Sequence, residues 1–121
     1  YFLGGVISYD DRVKEKLLGV KPEDLSEYGA VSHQVAKQMA AVVRSSLNTS
    51  WGLSITGIAG PSGGTDAKPV GLVYIGLAGP NGDSHSFEYR FGDARGRDWI
   101  RNLSICTALD RLRRDVIEEY C

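Results

Sequence analysis

The run of apolar and polar positions divides the chain into strands and helices in an order that points to a layered α/β domain. Residues 2 to 9 are mostly apolar with Val6 and Ile7 at their centre, the pattern of a strand covered on both faces. Asp10 and Asp11 can cap a short helix from Arg12 to Leu18 that Gly19 ends, and Pro22 then opens a turn of Glu23, Asp24 and Leu25. Ser32 caps a helix reaching about Asn48, in which Val35, Met39, Val42, Val43 and Leu47 recur at helical spacing. Trp51 to Thr56 reads as a second strand, followed by a glycine-rich loop to about Pro69. Val70 to Leu77 and Ser84 to Phe91 form an antiparallel pair joined through Pro80-Asn81-Gly82-Asp83, where Asn-Gly is a strong hairpin signal. A last helix from about Asp98 to Glu119 places Ile105, Leu109, Leu112, Val116 and Tyr120 on one stripe, expected to pack on the sheet. This order predicts a mixed sheet with helices on its faces.

Length and charge narrow the picture. A chain of 121 residues suffices for one domain with a real core, so a single domain over 1–121 is expected. Fourteen basic and fifteen acidic residues give a net charge of −1, which supplies no field to recruit nucleic acid or an anionic membrane. No stretch approaches the roughly 20 apolar residues of a membrane span. Cys106 and Cys121 match no metal spacing, and Cys121 stands at the chain end. A reducing compartment is expected, the cytoplasm or an organelle stroma. The opening residue is Tyr1 and the apolar run starts at once, so the chain is expected to begin in mid-domain.

Candidate chemistry concentrates in the loop after Thr56. Gly57, Gly60, Gly63, Gly64 and Gly71 let the backbone approach a ligand closely, with amides turned inward to a phosphate or carboxylate. The same composition also fits a surface loop without a ligand. Neither G-x-G-x-x-G spacing nor a Walker loop is present, since Pro69 follows Lys68. Lys14 lies five residues after Tyr9, so both can face a site at the end of the first strand. Burial disfavours the charged form of an amine, which suits a base, although solvating a short helix with Lys16 is the commoner role. Thr56 can orient a substrate or bond to its own backbone. Arg95, Arg97 and Arg101 can grip phosphate or carboxylate, or pair with Asp93 and Asp98. His85 shares a strand face with Phe87, Tyr89 and Phe91 and reads as packed or half-buried, whereas His33 is expected exposed. Two distant histidines and no cysteine cluster predict no metal site.

The blocks Phe2-Leu3-Gly4-Gly5-Val6-Ile7-Ser8-Tyr9, Lys14 to Val20, Gly29-Ala30-Val31-Ser32, Thr56-Gly57-Ile58-Ala59-Gly60-Pro61, Lys68-Pro69-Val70-Gly71 and Val73-Tyr74-Ile75 resemble, in order, the signature blocks of the CinA C-terminal domain family. That resemblance implies a three-layer α/β/α fold with a mixed sheet. It implies hydrolysis of the carboxamide of nicotinamide mononucleotide (NMN), giving nicotinate mononucleotide and ammonia in pyridine-nucleotide recycling, without metal or organic cofactor. By the same resemblance Lys14 matches the catalytic lysine, Tyr9 a tyrosine lining the site, and Thr56 the head of the substrate loop. Gly57, Ile58, Ala59, Gly60, Ser62, Gly63 and Gly64 match the rest of that loop. Arg97 matches the substrate arginine before the last helix, with Arg95 a rival because Gly92 to Arg97 is longer than the usual G-D-R.

One part of the family pattern is missing from these residues. The resemblance implies a nucleophilic serine in an A-E-S-C-T-G-G segment upstream of the first strand, and Ser8, Ser45, Ser54 and Ser62 stand in other contexts. The domain is therefore expected to be N-terminally incomplete, with apolar sheet surface left bare and a homo-oligomer or hetero-complex covering it. A non-catalytic nucleotide-binding or scaffolding subunit that has lost the serine is the alternative to an amidohydrolase.

Overall fold

The computed structural model describes residues 2–120; Tyr1 and Cys121 lie outside the described residues. Among the described residues, four helices and three strands follow in the order α1 (Asp11–Lys16), α2 (Pro22–Tyr28), α3 (His33–Ser46), β1 (Gly52–Gly57), β2 (Leu72–Ala78), β3 (Ser84–Arg90) and α4 (Arg97–Tyr120). The strands form one sheet in the order β1-β2-β3. Both pairings are antiparallel, with Ile55 opposite Ile75 and Ile75 opposite Phe87.

The period of two along the strands sends alternate residues to opposite faces. Ser54, Thr56, Leu72, Tyr74 and Gly76 turn to the face covered by α3, where Ser54 Oγ donates to the Ala36 carbonyl at 2.6 Å and Leu72 and Tyr74 pack on Ala36. Val73 and Ile75 turn the other way and pack against Ile100 and Ala108 of α4, with Leu53 and Tyr89 beside them. The result is an α/β fold of three layers. α1, α2 and their connection add cover to α3, where Leu18, Val20 and Leu25 pack on Val35 and Met39.

Both long helices present mostly small residues to the sheet. On α3, Ala36 and Ala40 sit over the strands, so close that a Cβ on Gly76 would lie 2.1 Å from the Ala36 carbonyl oxygen. On α4 the residues buried are Ile100, Ser104 and Ala108. This corrects the sequence-based stripe. Ile105, Leu109 and Tyr120 are exposed, at 48%, 55% and 65%.

Three further expectations are revised. Residues 2 to 9 are irregular and outside the sheet, with Phe2, Leu3, Ile7 and Tyr9 exposed, so the sheet is antiparallel throughout the described residues and its expected parallel member is absent from it. The Pro22 turn is the first turn of α2, with Pro22 at its start and Glu23 and Asp24 favoured there by the helix dipole. His85 is exposed rather than packed. The Ser32 cap stands as read: its hydroxyl accepts from the Val35 amide at 3.3 Å and donates to the Gly29 carbonyl at 2.8 Å. No helix of the described residues is long and apolar enough to cross a membrane.

The Asp10 cap holds α1 and carries a pH signature. Its carboxylate accepts from the Arg12 amide at 2.8 Å and faces the Arg12 guanidinium at 2.9 Å. The Arg12 side chain, and then its backbone amide, lower the Asp10 pKa from 3.8 to about 2. A depressed carboxylate stabilises above its unfolded value and loses that contribution as pH falls through its folded one. The cap should therefore be intact above about pH 3.8 and lost by about pH 2. In an NMR titration the Arg12 amide resonance should follow a midpoint near 2; a midpoint at 3.8, the ordinary value, would contradict the cap.

Candidate active site

A cleft of about 1330 Å³ opens between residues 2 to 9, α1, β1 and α4. β1 contributes Leu53 to Gly57, and α4 contributes Ile105, Leu109, Leu112 and Val116. The stripe read as sheet-packing is thus the apolar wall of this cleft. Amphipathic spacing identified those residues, but not which neighbour they meet.

Lys14 stands in the second turn of α1 and is only 6% exposed. Its Nζ donates to the Ser8 carbonyl, and the nearest carboxylate, Asp11 Oδ1, is 3.8 Å away and itself largely exposed. Burying an ammonium with so little compensation costs free energy that a solvating lysine would not incur. Lys16, two residues on, is exposed and does solvate the helix. The commoner role weighed for the pair therefore holds for Lys16 and fails for Lys14.

Thr56, at the end of β1, is 8% exposed. Its hydroxyl donates to the Ala30 carbonyl at 2.9 Å, fastening the strand to the turn between α2 and α3 rather than bonding to its own backbone. The glycine loop leaves from here. Its base is closed by Ile58 N donating to the Leu72 carbonyl at 3.0 Å and Gly71 N to the Ile58 carbonyl at 2.7 Å. Gly60 is buried at φ +78, where a Cβ would strike Val70 at 2.6 Å, so only glycine fits both backbone and space. Arg97 Nη1 donates to the Gly60 carbonyl at 3.0 Å and draws the loop toward α4.

The sequence-derived site residues divide between two hollows. Tyr9, Lys14, Thr56, Gly57, Ala59 and Arg97 line the large cleft, with Tyr9 on its exposed rim. Ser62, Gly63 and Gly64 line a smaller hollow of about 540 Å³ with Arg90 and Asp93. Ile58 and Gly60 line neither and shape the loop from within. Arg95 lies with its guanidinium 5.3 Å from the Trp99 ring centre and lines neither hollow, whereas Arg97 and Arg101 both line the cleft. Among the described residues no group of three or more His, Cys, Asp or Glu side chains is gathered to hold a metal ion.

A polar cluster that sequence reasoning did not assemble lies on the α3 face of β2 and β3. Tyr74 donates to Glu88 Oε1 at 2.7 Å, His33 packs edge-on against Tyr74, and His33 Nδ1 lies 2.5 Å from Ser86 Oγ. Burial, then the Glu88 hydrogen bond, pushes the Tyr74 phenol upward; the Tyr74 and Arg90 bonds hold Glu88 down. The signal for it was the register that sets Tyr74 opposite Glu88.

Comparison with known proteins adds identity to this geometry. Residues 1–116 match the family model of the CinA C-terminal domain. The chain is 69% identical over 117 residues to a CinA-like protein of Cyanothece sp. and 65% identical over 117 residues to one of Trichormus variabilis. Each match covers 97% of this chain and 28% of the relative, so the chain spans little more than a quarter of the length of these curated relatives. Among solved structures, the competence/damage inducible protein CihA from Agrobacterium tumefaciens superposes with a TM-score of 0.85 at 41% identity, over 88% of this chain and 64% of that one. A CinA superfamily protein from Enterobacter cloacae gives 0.82 at 30% identity, over 89% and 62%.

Proposed function

Because this chain belongs to the CinA C-terminal domain family, we propose that its cleft takes part in hydrolysing the carboxamide of NMN, giving nicotinate mononucleotide and ammonia. The observation that carries this reading is the buried Lys14 Nζ in a cleft wall shared with Thr56, Gly57 and Arg97. Amide hydrolysis needs a nucleophile at the carbonyl carbon and a base that takes its proton and returns it to the departing ammonia. Lys14 serves as that base. Arg97, with most of its donors beyond the Gly60 bond, faces the nucleotide phosphate, a role that suits a planar guanidinium.

Ser8, Ser50, Ser54 and Ser104 line the cleft, and the two buried ones are engaged elsewhere. Ser54 Oγ donates to the Ala36 carbonyl and Ser104 Oγ to the Ile100 carbonyl, each at 2.6 Å. The nucleophile of this reading is a serine supplied from outside these residues; its attack forms an ester as ammonia leaves, and water then cleaves that ester, releasing nicotinate mononucleotide and restoring the hydroxyl. The test is ammonia release from NMN by the chain alone and by the chain extended at its N-terminus with the corresponding segment of the Cyanothece sp. relative. The extended protein is expected to form nicotinate mononucleotide and ammonia. No turnover in the extended protein would sink the reading, and NMN binding without turnover by calorimetry would replace it with a non-catalytic nucleotide-binding role.

A further inference from the structure

The carbonyls of Tyr28, Gly29 and Ala30 are each taken by a side chain from a different part of the chain. Lys68 Nζ donates to Tyr28, Ser32 Oγ to Gly29 at 2.8 Å, and Thr56 Oγ1 to Ala30 at 2.9 Å. Thr56 stands just before the glycine loop and Lys68 near its end. Both ends of the loop are thus moored to one short turn, the link between α2 and α3.

We propose that Lys68 is a positioning residue that holds the glycine loop in its ligand-receiving shape by tying it to the end of α2. Tyr28 is the last residue of α2, so its carbonyl has no partner within the helix, and a cation is the favoured donor at such an end. Gly29 leaves the ammonium its place, since a Cβ there would stand 3.0 Å from Lys68 Nζ. The backbone from which Lys68 departs is fixed as well: Thr65 N donates to the Lys68 carbonyl at 2.8 Å, and Lys68 N donates to Thr65 Oγ1 at 3.0 Å. Lys68 lines neither hollow, so it acts on a ligand through the loop rather than by touching it. Without the tie, the stretch from Pro61 to Asp66 must be ordered when the ligand binds, and that cost appears as weaker binding with the chemistry unchanged.

The binding part of this inference rests on the NMN reading; the mooring itself does not. The experiment compares wild type, Lys68→Met and Lys68→Arg in the N-terminally extended protein, by hydrogen exchange of residues 59 to 67 and by kinetics with NMN. Lys68→Met should speed exchange in that segment and raise KM about tenfold, with kcat within about threefold. Lys68→Arg, which keeps a charged donor, should restore both. Unchanged exchange in Lys68→Met, a loss confined to kcat, or no rescue by arginine would overturn the proposal. If wild type releases no ammonia, the NMN reading has failed, and the exchange comparison alone then decides for or against Lys68.

Discussion

Replacing Lys14 with methionine is expected to cut NMN turnover by the extended protein about 10³-fold while leaving its thermal midpoint unchanged or higher. The two halves of this result have one cause. The ammonium is held in a wall of the cleft with one backbone carbonyl and a carboxylate 3.8 Å away, which compensates poorly for its lost hydration. Methionine fills similar space without that cost, so stability holds or rises by up to about 2 kcal/mol. A side chain kept in place for packing would show the opposite pairing, with turnover falling only as far as the fold does. Steady-state assays and thermal melts on the same preparations separate the two, and a variant that retains full turnover removes Lys14 from the reaction.

Substituting Gly76 with alanine should destabilise the domain by about 3 kcal/mol or more, a fall of roughly 10 °C in Tm. The methyl group would lie 2.1 Å from the Ala36 carbonyl oxygen, 2.6 Å from its carbon and 2.4 Å from Ser54 Oγ. Two of those atoms are helix backbone, and the third is held by a hydrogen bond to the same carbonyl. Nothing flexible is available to yield. α3 would have to back away from the sheet and open the packing of Ala36, which is fully buried, against Leu72 and Tyr74. Urea unfolding monitored by circular dichroism measures the loss, and a change below about 1 kcal/mol would show that helix and sheet are less closely docked than described.

Local chemistry made some elements legible and left others hidden. Ser32 capped α3 as read, and the turn containing Asn81-Gly82 joined two antiparallel strands, because caps and tight turns are decided by residues adjacent in sequence. Pro22, Glu23 and Asp24 carried an equally local helix-start signal that fits a turn just as well until the next residues are counted. The apolar run from Phe2 to Ile7 met the pattern of a buried strand, but whether a strand finds a partner depends on residues far along the chain. α4 shows a subtler limit. Its periodicity identified the large apolar stripe, yet the sheet takes the adjacent stripe of Ile100, Ser104 and Ala108, since close approach to Val73 and Ile75 admits mostly small side chains. In the site, Lys14, Thr56 and Arg97 come to line one cleft, whereas Ser62 to Gly64 turn into a separate hollow. The mooring by Lys68 was invisible because its partner is a carbonyl, which no side-chain pattern encodes.

Connections between helices are ordinarily where a fold absorbs gained or lost residues, but the turn from Tyr28 to Ala30 has no such latitude. Its carbonyls meet a loop, a helix cap and a strand end in fixed succession, so one residue more or less would put each out of step with its donor. The hairpin at Asn81-Gly82 is the counterpart: it is exposed, and nothing lies within 4 Å of where a Gly82 side chain would start. Changes in chain length therefore have room at the tip of β2 and β3 and none beside the cleft.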